Sequence, residues 1–161
     1  MSIRDISFIS RERAESLPGS SGSAIISITD PGTPPATLAP TFRHVLRLAF
    51  YDALPADDYI PMPFPGLFDT TMAREICSFV DTLNTDPDPL HCIVHCEFGI
   101  SRSAAVALFI EAYTGAPLAS REFACNANEW VASLLARQRP PLLIEIPQTR
   151  SEQERRNAQR L

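Results

Sequence analysis

The sequence predicts an α/β fold: a single domain with a mostly parallel central sheet of about four to five strands flanked by helices. Three observations predict it. β-prone runs alternate along the chain with helical patterns, the order that parallel crossovers require. The apolar run at residues 90–95 passes through a short turn directly into RSAAVALFIEAYTG, a strand–turn–helix unit. And 161 residues, 45% of them hydrophobic and 20% charged, are enough to bury one core without staples. The expected domain covers residues 1–148, with residues 149–161 a polar C-terminal tail or frayed helix.

Taken in order, residues 3–9 suit an edge strand and residues 11–16 a short helix ending near Pro18 and Gly19. AIISIT at 24–29 reads as a central strand, closed by the turn signal Asp30-Pro31-Gly32. Residues 33–40 are Pro-rich and irregular. Residues 42–50 form another strand, with Val45, Leu46, Leu48 and Phe50 apolar. The loop at 51–66 carries Pro55, Pro61, Pro63 and Pro65, and a loop of that length is usually functional. Asp69 caps a helix over 70–84, whose apolar stripe is Met72, Ile76, Phe79, Val80 and Leu83. After the strand–turn–helix unit, which stops at Gly115, short helices are expected at 120–125 and 128–137. The second buries Trp130, Val131, Leu134 and Leu135 and ends before Pro140-Pro141.

Charge narrows the function. The net charge is −5, so a nucleic acid or an anionic membrane is not an expected partner. All 14 cationic side chains are Arg. The four cysteines form no regular framework, and no cluster has metal-ligand spacing. No metal or cofactor is expected. With no long apolar run near the N-terminus, the expected compartment is a reducing cytoplasm.

The chemistry concentrates at His95-Cys96-Glu97-Phe98-Gly99-Ile100-Ser101-Arg102-Ser103. A thiol on a turn between a strand and a helix N-terminus faces amide N–H groups and the positive end of a dipole, where a thiolate or a phosphate is stabilised. Arg102 offers a planar fork able to hold two phosphate oxygens. Gly99 lets successive N–H groups converge on one anion. Cys77, Cys92 and Cys125 lack this context and read as structural. His44, His91 and, taken alone, His95 read as satisfied core histidines.

This stretch resembles the HCxxGxxR[ST] loop of the cysteine-dependent protein tyrosine and dual-specificity phosphatases, and the small chain is most similar to their compact dual-specificity group. Five matched positions, His95, Cys96, Gly99, Arg102 and Ser103, should coincide by chance on the order of once in 10^5 chains of this length. The resemblance implies a tyrosine-phosphatase-like fold and hydrolysis of a phosphomonoester through a phosphocysteine on Cys96. It implies that the amides of Glu97, Phe98, Gly99, Ile100, Ser101 and Arg102 bind the phosphate, that Ser103 assists departure of the sulfur, and that His95 orders the loop. It also implies a general acid upstream. Asp52, just past the strand at 42–50, is the first choice; Asp57 is second, Asp58 lies on the same loop, and Asp69 is better used as a cap. The implied partner is a phosphotyrosine protein or another phosphomonoester. The turn carries Glu97 and no basic side chain, which weighs against polyphosphorylated lipids and favours an aryl ester in contact with Phe98 and Ile100. The alternatives are a rhodanese-like phosphatase or sulfurtransferase, and a phosphoprotein-binding module without turnover. A reversible disulfide of Cys92 with Cys77 or Cys125 is a weaker expectation.

Overall fold

The computed structural model describes residues 2–55 and 65–160. Four strands, β1 (Ile3–Ser10), β2 (Ser23–Thr29), β3 (His44–Ala49) and β4 (Leu90–Cys96), form one sheet in the order β1-β4-β2-β3. Every pairing is parallel. The expected sheet of mostly parallel strands is therefore four-stranded and wholly parallel, with β1 at an edge as its sequence suggested.

β2 is buried along its whole length, because it lies between two strands and under helices on one face. Its isoleucines divide between the faces by strand alternation. Ile26 and Ile28 join the main core, whereas Ile25 packs with Ile9, Ala14 and Phe42 in a smaller cluster. Each fully buried Ile contributes about 1.5–3 kcal/mol relative to exposure.

The main core is covered by α2 (Thr70–Asn84), α3 (Arg102–Thr114) and α4 (Glu129–Gln138). Asp69 caps α2 by accepting the Met72 N–H at 2.8 Å. Its apolar stripe, with Ile76, Val80 and Leu83 fully buried, meets the sheet. α3 is buried from Arg102 to Ile110 and stops at Gly115, whose φ of 76° is costly for residues with a Cβ. The opposite face of the sheet is closed by α1 (Arg11–Ser16) and the segment around Leu38 and Phe42.

Several boundaries differ from the sequence expectation. The strand expected over 42–50 is trimmed to His44–Ala49, leaving Phe50 just past its end. The segment expected as a short helix over 120–125 is a 3-10 helix, Arg121–Asn126. Trp130 is half-buried, its indole N–H donating to the Phe68 carbonyl at 2.9 Å. Residues Arg150–Gln159 form α5, held by a capping box between Thr149 and Glu152 and burying no side chain. The Pro-rich loop is closed at its base, where the Tyr51 N–H donates to the Gly66 carbonyl at 2.8 Å.

Candidate active site

In a parallel sheet all strand C-termini emerge on one edge, and sites gather there. Here that edge carries Ser10 at the end of β1, Asp30 one residue past β2, Phe50 one residue past β3, and Cys96 at the end of β4. The turn 97–101 leads from Cys96 into α3. Gly99 has φ 70°, and a Cβ there would lie 2.4 Å from the Ile9 carbonyl carbon and the Ser10 nitrogen. Those are backbone atoms and cannot swing aside. Glycine is therefore required both by conformation and by the close approach to β1.

Two carbonyls of the turn, at its ends, are engaged by its surroundings. The Glu97 carbonyl accepts from Arg11 N–H at 3.2 Å, and the Ser101 carbonyl from the Ala105 and Asn128 N–H groups, each at 3.1 Å. A trans peptide points its N–H opposite to its carbonyl. The N–H groups of Phe98 and Arg102 are thus directed away from those partners. Ser101, the N-cap position of α3, makes no side-chain cap.

Cys96 is buried with its Sγ 3.1 Å from Ser103 Oγ. His95 is fully buried beside it. Its Nδ1–H donates to the Cys96 carbonyl at 3.4 Å, so Nε2 accepts the Ser27 hydroxyl at 2.6 Å. Burial, reinforced by the Arg11 and Arg47 charges, lowers the His95 pKa and keeps the ring neutral.

Arg102 is 4% exposed, and its guanidinium reaches across the ends of β2 and β3. One nitrogen, Nη1, donates to Asp30 Oδ1 at 2.6 Å and to the Phe50 carbonyl at 2.7 Å. Nε is buried and has no hydrogen-bond partner. A buried donor without an acceptor is destabilising by about 1–3 kcal/mol, more when charged. The pinned Nη1 thus fixes the orientation of a fork that still lacks an acceptor on its Nε side.

Asp52 is exposed at the surface end of this edge. Its Oδ1 accepts from Ser101 Oγ at 2.7 Å and from Asn128 Nδ2 at 2.8 Å. The structure therefore brings Asp52 to the turn after Cys96, whereas Asp69 serves as the α2 cap. Asp57 and Asp58 lie outside the described residues. Phe98 and Ile100 stand out from the turn, 77% and 48% exposed. A cleft of about 350 Å³ opens beside Asp52 and Ser101, lined by Leu54, Cys125, Asn126 and Glu129 among others.

The other cysteines are in different chemical settings. Burial, with Asp5 adding a smaller effect, pushes the Cys92 thiol up to about 12. Burial likewise raises Cys77. Four residues of strand separate Cys92 from Cys96 by about 13 Å, beyond disulfide reach. All four cysteines are free. His44 and His91 are not core residues as expected; they pair with Asp86 at 2.7 Å and Asp5 at 2.8 Å. Among the described residues, no group of three or more His, Cys, Asp or Glu is placed to hold a metal ion, and no helix is long and apolar enough to cross a membrane.

No family model matches the sequence, and no curated protein matches it. Among solved structures, the chain is similar to a mouse protein described as a dual specificity phosphatase, complexed with zinc tungstate. The two are 18% identical, with a TM-score of 0.38, over 88% of this chain and 72% of the other. It is similar to human DUSP28 as well. That pair is 16% identical, with a TM-score of 0.43, over 95% of this chain and 94% of the other. A point variant of human DUSP28 gives 17% identity and a TM-score of 0.41, over 94% and 88%.

Sequence reasoning missed three participants. Asp30 read as a turn residue, Ser27 as part of an apolar strand, and Asn128 as the start of a helix. A signal existed for two of them. The carboxylate one residue past β2 and the hydroxyl inside it both belong to the strand segment next to β4, which carries Cys96.

Proposed function

We propose that the protein is a phosphomonoester hydrolase of the tyrosine and dual-specificity phosphatase type, working through a phosphocysteine on Cys96. One observation carries the reading. Arg102 is a buried cation oriented by Asp30 and the Phe50 carbonyl, with Nε lacking an acceptor, and it opens the helix that follows the Cys96 turn. A phosphoryl oxygen supplies the missing acceptor, and the amides of the turn supply further donors.

In the first step the Cys96 thiolate attacks phosphorus. The S–P bond forms, the P–O bond to the leaving group breaks, and Asp52 gives its proton to the departing oxygen. Arg102 and the amides of residues 97–102 carry the charge on the non-bridging oxygens. In the second step water attacks the phosphocysteine while the Asp52 carboxylate takes its proton. The S–P bond breaks, inorganic phosphate leaves, and the thiolate returns. Ser103, 3.1 Å from the sulfur, donates a hydrogen bond that eases its departure. His95, neutral and tied to Ser27, holds the carbonyl of Cys96 in place. Phe98 and Ile100 offer apolar surface to an aryl ester such as phosphotyrosine, and Glu97 disfavours highly acidic substrates.

Hydrolysis of p-nitrophenyl phosphate in EDTA, by the wild type and by Cys96→Ser, tests this. Turnover in the wild type and none in the variant is expected. Equal turnover in both would exclude the thiol mechanism, and none in folded, reduced wild type would exclude hydrolysis of simple aryl phosphates.

A further inference from the structure

We infer that Asn128 and Ser101 are positioning residues that clamp Asp52 as the proton donor; the inference rests on the hydrolase reading above and adds two residues to it. Asp52 is exposed and lies three residues past β3, where an untethered carboxylate would sample several rotamers. Positioning a reacting group is worth large factors in rate. Here both clamps act on the same atom. Ser101 Oγ at 2.7 Å and Asn128 Nδ2 at 2.8 Å donate to Oδ1. With Oδ1 already receiving two hydrogens, Oδ2 is the oxygen that carries the transferable proton.

Asn128 is built for the task on all sides. It is 6% exposed. Its Oδ1 accepts the Val131 N–H at 3.0 Å, which caps α4 and fixes the amide plane. Its Nδ2 also donates to the Ala53 carbonyl at 3.2 Å, holding the backbone that carries Asp52. Its own N–H donates to the Ser101 carbonyl at 3.1 Å. One residue thereby joins the acid, the acid's backbone and the turn after Cys96. Ser101, left without a capping role, gives its hydroxyl to Asp52 instead.

A loss of proton donation differs from general damage in how it depends on the leaving group. A basic phenoxide needs the proton more than nitrophenoxide does, so the defect is larger on phenyl phosphate than on p-nitrophenyl phosphate. The experiment measures kcat on both substrates for the wild type, Asp52→Asn, Ser101→Ala, Ser101→Thr, Asn128→Ser and Asn128→Asp. Serine and aspartate retain an oxygen able to cap α4, so folding is preserved. Asp52→Asn should lower kcat on phenyl phosphate by about 10²–10⁴ and less on p-nitrophenyl phosphate. Ser101→Ala and both Asn128 variants should show the same asymmetry at about tenfold on phenyl phosphate, a part of the full general-acid effect. Ser101→Thr, which keeps the hydroxyl, should restore activity.

Equal losses on the two substrates, or none, in the Ser101 and Asn128 variants would overturn the clamp while leaving Asp52 as the acid. An Asp52→Asn variant with an unchanged substrate ratio would overturn the acid assignment and the clamp together. Absence of turnover in the wild type would overturn the hydrolase reading on which both rest.

Discussion

The two ends of the parallel sheet both carry charged clusters, and they are finished differently. At the N-terminal end, Arg43 pairs through Nε with Asp86 at 2.8 Å and through Nη1 with Asp88 at 2.9 Å, and His44 also reaches Asp86 at 2.7 Å. That network ties the start of β3 to the loop before β4, and both of its basic side chains meet an acid. At the C-terminal end, Arg102 is more deeply buried, yet its Nε has no acceptor and its nearest carboxylate, Asp30, is engaged by Nη1 alone. Closed pairing serves the fold. A buried cation with an open donor is destabilising by itself, and the proposed phosphoryl ligand would complete it.

Substitutions in each cluster separate their roles. The largest effect belongs to Arg102→Lys, which keeps the charge and loses the fork. With p-nitrophenyl phosphate it should lower kcat/KM by about 10²–10³, the cost typical of losing a preorganised donor to transition-state oxygens. A loss below about threefold would place Arg102 with the structural pairs and empty the contrast.

Asp86→Asn probes the other end and should leave kcat/KM unchanged while lowering thermal stability. The sign with pH follows from the direction of the shift. Its hydrogen bond with His44, then the Asp88 N–H and Arg43, holds the Asp86 pKa below the usual carboxylate range. A carboxyl depressed in the folded state stabilises above its unfolded pKa of about 3.9 and loses that contribution as pH falls through the lower folded value. Thermal melts of wild type and variant should differ at neutral pH and converge in acid. A gap that persists in acid would show that Asp86 does not act through its charge.

The smallest effect sharpens the picture of His95. Its folded pKa is also depressed, by burial, so its contribution to stability is complete above about pH 6.5 and declines as pH falls toward the folded value. Urea unfolding should reveal that slope in the wild type and its loss in His95→Asn. An identical slope in the variant would assign it elsewhere.

How much of this was legible depends on the range of the interactions. β2 and α3 were visible because a β-branched apolar run, helical apolarity and a glycine stop are local, and the sequence around Cys96 carries its own turn chemistry. The order β1-β4-β2-β3 is a matter of distant pairing and leaves no local mark. The same limit explains the missed partners. Asp30 and Arg102 are 72 positions apart, and Asp52 and Asn128 are 76 apart. Asp30-Pro31-Gly32 announces a turn so strongly that the carboxylate's second use is hidden behind it. The placement of Asp52 beside the turn after Cys96 was legible because the strand end before it could be recognised. His44 and His91 were misread because their acidic partners, Asp86 and Asp5, come from remote segments.

If this edge of the sheet presents a phosphoryl group to Cys96, an S–P bond forms during turnover and can be trapped. The protein is mixed with p-nitrophenyl phosphate, quenched in denaturant within a turnover, digested and mapped by mass spectrometry. A phosphoryl addition on the peptide holding Cys96, absent from Cys96→Ser, is expected. Turnover with that peptide unmodified at every quench time would contradict it.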